Sequence, residues 1–331
     1  MTQTTVLNRK AVLTVSDNAA LRISRLNKRL GHRQILHDIS LVAYPGEVFG
    51  FLGPNGAGKT TTIKIVMGLL SLEEGNISIN GIDIKDDFEG AMANVGGIVE
   101  NPEMYKYLTG MQNLRQYARM REGVTQERIN EVVELVKMSN RINDKISKYS
   151  LGMRQRLGVA QALLHKPKVL ILDEPTNGLD PVGIKELRDI LKDLAHKENI
   201  CVIVSSHLMS EMELMCDRVG IISNGKMIGV HTLEDMVSAA EAHMSDYVIK
   251  VSDAQRAMEM IDLPAESKKL TSEGIEVSLP TEKCYEMISA INEQIISSGI
   301  RLYTVSQKEN KKLEDVFIKL TNESMGGGQI G

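Results

Sequence analysis

Positive charge is in short supply in this 331-residue chain. Thirty-nine lysines and arginines stand against 43 acidic residues, a net charge of −4. That balance gives no general pull toward nucleic acid or anionic lipid, so any anion the protein binds must be held by local geometry. Long apolar runs are missing too. A membrane-spanning helix needs roughly 18–20 apolar residues, and the longest candidates, VLIL at 169–172 and CVIV at 201–204, have the length of buried strands. The N-terminus lacks the continuous apolar core and small-residue cleavage site of a signal peptide. The three cysteines, Cys201, Cys216 and Cys284, are far apart and odd in number, which argues for reduced core or helix residues rather than a disulfide framework or metal site. There is no tryptophan, and aromatic residues make up only 4%, so closely spaced aromatics stand out. These absences leave a cytosolic chain. Its 42% apolar and 25% charged content is ordinary for a globular protein, and its length suggests two domains.

Residues 1–20 are polar and weakly patterned and read as a mobile leader. From about 21 to 235, β-rich runs alternate with helical patterns: EVFGFL (47–52), VGGIV (95–99), VLILD (169–173) and CVIVSS (201–206). Near-continuous apolar strands of this kind suit a parallel sheet covered on both faces. IISNGKMIGV (221–230) predicts a hairpin turning at Asn224-Gly225, a pair suited to a type I′ turn. A helical connector is expected over 232–245. Beyond it, from about 240 to 325, the order strand, helix, hairpin at Ser272–Gly274, helix, strand and last helix (311–323) predicts a small ferredoxin-like α+β domain. Cys284, Met287, Ile288, Ile291 and Ile295 share one stripe of its second helix, and the glycine-rich residues 326–331 are expected to form a disordered tail.

Gly53-Pro54-Asn55-Gly56-Ala57-Gly58-Lys59-Thr60-Thr61 matches the phosphate-binding pattern of two glycines with four residues between them followed by lysine and threonine. The context is the required one, a strand before and a helix after. Glycines let successive backbone N–H groups turn around an anion, and the helix adds its N-terminal partial positive charge. Lys59 then sits on the β- and γ-phosphates, and Thr60 ligates Mg2+. A second segment, KVLILDEPTNGLD (168–180), is an apolar strand ending in two acids. Asp173 is placed to hold Mg2+ and Glu174 to polarise an attacking water. A third, YSLGMRQRLGVAQALL (149–164), begins with the helix N-cap Ser150. A fourth, VSSHLMSEME (204–213), puts His207 just past a strand.

In this order and spacing the four segments resemble the ATP-binding subunit of ABC transporters, over roughly residues 21–235. The resemblance implies a P-loop ATPase domain with a mixed sheet and a helical subdomain at about 103–150, followed by the signature helix at 150–165. It makes 53–62 the Walker A loop, VLILDE the Walker B strand with Glu174 as catalytic base, Gly178-Leu179-Asp180 the D-loop and His207 the switch histidine. It also implies that Ser150 and Gly152 contact the γ-phosphate of an ATP held by another subunit, so that two subunits close head to tail over two ATPs.

Two positions depart from the family pattern. Where a glutamine is usual, GIVENPEMYKYLTG offers Glu100. A carboxylate can still ligate Mg2+, but it cannot donate a hydrogen bond as an amide does. The bacitracin and lantibiotic resistance branch, which ENPEMYKYLTG and YSLGMRQRLG resemble, tends to carry this acid, so Glu100 is expected to be functional. Where an aromatic residue commonly stacks on adenine, the chain has Leu30, with His32 as a candidate substitute. A separate membrane permease is implied, touching Tyr105, Tyr107 and Leu108, because amphipathic aromatics favour interfaces. The implied activity is ATP hydrolysis at the cytoplasmic side of the membrane, powering export of, or self-protection against, a peptide antibiotic. Drugs, lipids or polysaccharides are the alternative cargoes. A soluble DNA- or ribosome-acting ATPase is disfavoured by the single nucleotide-binding domain and the lack of a basic stripe.

Overall fold

The computed structural model describes residues 18–236, 244–264, 267–272 and 274–307. Two compact units emerge: one contains Thr60–Ser205 with the residues up to Phe49, the other Gly50–Lys59 with the residues from Ser206 onward. The domain boundary expected near 235–240 therefore runs inside the second unit.

In chain order the first unit starts with β1 (Leu21–Leu30) and β2 (Arg33–Ala43) and enters β3 (Val48–Leu52). It resumes within α1 (Lys59–Val66) and continues through β4 (Glu74–Ile79), β5 (Ile82–Asp83), α2 (Phe88–Ala93) and β6 (Val95–Ile98). The helices α3 (Gly110–Ala118), α4 (Gln126–Leu135) and α5 (Leu151–Leu163) follow, then β7 (Val169–Leu172), α6 (Pro181–His196) and β8 (Cys201–Ser206).

Four of these strands form a sheet in the order β2-β1-β4-β5 that the sequence pattern did not reveal. The physical reason is bulging. The β1–β2 register slips between Ile23 and Leu26, between Leu26 and Lys28 and between Lys28 and Arg29, so the alternation of period two is broken. Arg25 (φ 50°) and Asp38 (φ 53°) sit in the left-handed region at these slips. The backbone donors freed there are taken up by side chains: Arg25 N–H donates to Ser40 Oγ at 2.9 Å and Asp38 N–H to Asn27 Oδ1 at 3.1 Å. Ala20, assigned by the sequence to the leader, extends the inner strand β1 of this sheet. It is buried, its N–H donates to the Ala43 carbonyl, and its own carbonyl accepts from Asn80.

The parallel strands read from the sequence are present. β6 pairs with β7 and β7 with β8, with Val95 opposite Val169 and Val169 opposite Cys201. Every residue of β7 and β8 is buried. α5 packs so close to β6 that a Cβ on Gly96 would lie 2.1 Å from the Ala162 carbonyl oxygen, so only glycine fits there. On α6, Leu187, Ile190, Leu191 and Leu194 are buried at spacings of three and four, the stripe that docks a helix onto a core. Within the helical segment expected at about 103–150 lie α3 and α4, and α5 occupies the stretch expected as a helix at 150–165. Each helix is capped by a hydroxyl, Thr109, Thr125 and Ser150, accepting from the backbone three residues on.

In the second unit α7 (Met209–Met215) leads to β9 (Arg218–Ser223) and β10 (Lys226–Thr232). Their turn has φ of 48° at Asn224 and 73° at Gly225, as a type I′ hairpin requires. The connector expected over 232–245 is helical at residues 233–236, while Met244 and Ser245 already belong to a strand. The rest of it lies outside the described residues. β11 (Met244–Val251), α8 (Ala254–Met260), β12 (Lys268–Thr271), β13 (Gly274–Pro280), α9 (Cys284–Ser297) and β14 (Leu302–Gln307) then run in the order β-α-β-β-α-β. The strands form an antiparallel sheet ordered β12-β13-β11-β14. Ile249, Ile275, Val277 and Leu279 from the sheet pack with Cys284, Ile288, Ile291 and Ile295 of α9. The last helix and glycine-rich tail expected from the sequence lie outside the described residues. All three cysteines are buried, and none is in a disulfide.

His165, at the end of α5, has its Nε2 2.9 Å from the Val95 carbonyl at the start of β6. Burial holds its pKa below the usual histidine value, outweighing the carbonyl, which pushes the other way. The unfolded chain therefore takes up a proton below about pH 6.5 that the folded chain resists, so the folded state loses stability as pH falls through that range. Urea titrations between pH 7 and 5 should show this decline, and His165→Gln should flatten it; equal slopes in both proteins would refute the assignment.

Candidate active site

The first unit's site is organised around Asp173, the residue after β7, which is only 6% exposed. Its N–H donates to the Ile98 carbonyl at the end of β6, 3.0 Å away. Its Oδ2 accepts from Thr60 Oγ1 at 2.8 Å and its Oδ1 from Ser205 Oγ at 2.6 Å. A buried carboxylate left without partners would cost several kcal/mol (~3–5), and two hydroxyl donors from two other elements meet that need.

Ser205 also fixes the neighbouring acid. Its Oγ accepts the Glu174 N–H at 2.9 Å, and Glu174 has φ of 47°, uncommon for any residue but glycine. The same side chain thus donates to one carboxylate and holds the strained backbone that aims the next. Glu174, Asp173, Thr60 and Glu100 line one cleft of about 810 Å³, with Lys106 and Arg154 as the cations of its wall. Glu100 is a second acid in the left-handed region, with φ of 68°. Its carboxylate pairs with Lys64 of α1 at 3.1 Å.

The second unit holds the glycine-rich loop. Lys59 is buried, and its ammonium donates to the Gly53 carbonyl at 2.7 Å and the Pro54 carbonyl at 3.3 Å. Gly53 N–H donates to the Ser206 carbonyl, Ala57 N–H to that of Pro54, and Gly225 N–H to that of Ala57. The loop is therefore tied down at both ends. A Cβ on Gly53 would come within 2.3 Å of the Ile222 carbonyl oxygen, so this glycine is required by packing before any ligand is considered. Gly56 and Gly58, with φ of 80° and 110°, carry the turn itself, and Pro54, Asn55 and Gly56 are exposed. His207 follows a turn shaped by Ser206, whose Oγ accepts from Leu208 N–H and donates to Glu211.

Of the residues singled out by sequence, Thr60, Glu100, Asp173 and Glu174 come together around the cleft, joined by Gly178. Leu30 and His32 are exposed at the β1–β2 turn and do not line it. Ser150 and Gly152 flank Leu151, which does. Asp180 caps α6, accepting from Gly183 N–H at 2.9 Å. Ser205 and Lys64 were missed. The first had one visible signal, two polar residues ending the apolar run CVIVSS.

The glycine loop leading into α1, with a buried strand-end aspartate bonded to the α1 threonine, defines a P-loop nucleotide-binding ATPase. The family described as ABC transporter matches residues 36–177. The ABC transporter ATP-binding protein YhcH of Bacillus subtilis, described as uncharacterized, is 48% identical over 304 residues, covering 92% of this chain and 96% of the relative. The bacitracin transport ATP-binding protein BcrA of Bacillus licheniformis is 34% identical, covering 94% and 99%. A solved structure described as an ATP-binding subunit of an ABC transporter is 30% identical with a TM-score of 0.58, covering 66% of this chain and 92% of that one. This chain belongs to the ATP-binding subunits of ABC transporters, and it hydrolyses ATP to power one.

Replacing Ser205 by alanine strips a buried carboxylate of one donor and the Glu174 N–H of its acceptor. The expected loss in urea-unfolding stability is about 1–3 kcal/mol; a loss under about 0.5 kcal/mol would show the bridge to be dispensable.

Proposed function

We propose that two copies of this chain close head to tail over two Mg2+-bound ATP molecules, each copy completing the other's hydrolytic site. The observation that carries this reading is Gly152. It lies in the first turn of α5, and a Cβ there would meet nothing nearer than the Gly183 Cα at 3.6 Å. The fold has room for a side chain, and alanine would favour the helix by up to about 1 kcal/mol. A glycine that the chain's own packing does not require leaves the helix start open to a group approaching from outside. Beside it stands the exposed cap Ser150, at a helix N-terminus suited to a phosphate.

In this reading the N–H groups from Gly56 to Thr61 cradle the phosphates and Lys59 neutralises the β- and γ-oxygens. The oxygen donors fit Mg2+: Thr60 and Asp173 are already paired at 2.8 Å, and Glu100 lines the same cleft. Mg2+ usually keeps water and substrate phosphates as its remaining ligands, which agrees with the lack of any cluster of three or more acidic, histidine or cysteine ligands among the described residues. When bound, the ion polarises the phosphate oxygens. Glu174 orients the attacking water and accepts its proton, His207 contacts the γ-phosphate, Asp180 faces the partner copy, and Leu30 makes an aliphatic contact to adenine. The products are ADP and phosphate.

No helix among the described residues is long and apolar enough to cross a membrane, so transport passes through a separate permease, with this subunit on the cytoplasmic side. Its contact is assigned to Tyr105, Tyr107 and Leu108. The two tyrosines are 51% and 69% exposed, with ring centroids 5.9 Å apart. The cargo is a peptide antibiotic of the bacitracin or lantibiotic kind, a reading supported by the bacitracin-transport relative.

Lys59→Ala should abolish ATP binding. Glu174→Gln should retain binding but lower turnover by about 100-fold or more, and with ATP it should run as a dimer in light scattering; a monomer there would sink the paired arrangement. Gly152→Ala should leave the melting temperature equal or higher while cutting ATPase activity. Unchanged activity would remove the outside phosphate from the account.

A further inference from the structure

Glu100 poses a charge problem that the reading above leaves open, because a carboxylate there adds a negative charge close to a triphosphate. The ion pair with Lys64 answers it. Lys64 stands one helical turn beyond Thr60 on α1, so its side chain rises on the face that also carries the Thr60 hydroxyl. Its ammonium reaches the Glu100 carboxylate at 3.1 Å, with the lysine side chain 33% exposed and the glutamate 72% exposed. The Glu100 backbone is in the left-handed region, where a glutamate needs an external restraint to remain.

Resting on the assignment of Glu100 to the Mg2+ site, we propose that Lys64 is a positioning residue that holds the Glu100 carboxylate on α1 and competes with Mg2+ for it. The pair keeps the local charge near zero until the ion arrives. Because it is exposed, it is weak enough to break: pairs of this kind change an equilibrium by only a few-fold, roughly two to five. A buried lysine pair would not release so cheaply. Lys28, 4% exposed and bound to Glu73 at 2.6 Å and to both oxygens of Ser71, is of that locked kind.

The competing explanation is that Lys64 merely serves the α1 C-terminus as a favourable cation in the last turn. A double-mutant cycle separates the two. Binding of a fluorescent, non-hydrolysable ATP analogue to the full chain is followed as free Mg2+ is titrated, with melting temperatures recorded for every variant. Lys64→Gln should lower the Mg2+ midpoint by about two- to fivefold, and Lys64→Arg should bring it back toward the parental value. In a Glu100→Gln background, the Lys64→Gln shift should fall to less than half of that. Equal shifts in both backgrounds, or no shift while Glu100 is present, overturns the proposal and leaves the site assignment standing. If the unaltered chain binds the analogue with no dependence on Mg2+, the metal reading fails and takes this one with it.

Discussion

A buried carboxylate cannot be left unpaired, and in this protein that constraint falls on Asp173. Its two oxygens and its N–H are met by Thr60 at the start of α1, Ser205 on β8 and the Ile98 carbonyl at the end of β6. Those partners come from elements distant in sequence, so satisfying one charge fixes the mutual positions of three strand ends and a helix start. Moving any one of them by an ångström would break a short hydrogen bond to a nearly buried anion. Glu174, Ser205 and Thr60 therefore come as a set.

What the sequence revealed and what it hid divide along physical lines. The glycine loop, the strand ending in Asp173-Glu174 and the cap Ser150 were legible because their chemistry lies within a few consecutive residues, where backbone geometry alone sets the spacing. Ser205 and Lys64 act on residues 32 and 36 positions away, and no local pattern reports such a juxtaposition. The β2-β1-β4-β5 sheet was hidden for another reason. Its bulges at Ile23–Leu26 and Leu26–Arg29 spoil the alternation by which a half-buried strand is recognised. Ala20 was lost with it, since its burial depends on Ala43 and Asn80 being brought alongside.

Two glycines show that the same residue type can sit in opposite steric settings. Gly53 is enclosed, with the Ile222 carbonyl 2.3 Å from where a Cβ would stand, whereas Gly152 has ordinary space around it. The pattern match treats both as ligand-binding positions. Sterics separate them: the first would be a glycine in any protein with this loop packing, whereas the fold would accept a side chain at the second. An unexplained local choice is informative when the fold itself would accept something better.

The same comparison of magnitudes distinguishes the two acids of the cleft. Glu100 and Glu174 both occupy the left-handed region, a conformation that costs a non-glycine residue on the order of 1–3 kcal/mol. Glu174 is held through its backbone N–H by Ser205, itself 0% exposed, and that anchor survives any change in the charge of the site. Glu100, itself exposed, is held through its carboxylate by the half-buried Lys64, an anchor that salt can screen. Under the roles proposed above, a water-orienting base would have to stay where it is throughout turnover, while a residue that answers the arrival of a metal ion would have to be able to let go. The buried tether belongs to the first acid and the exposed one to the second.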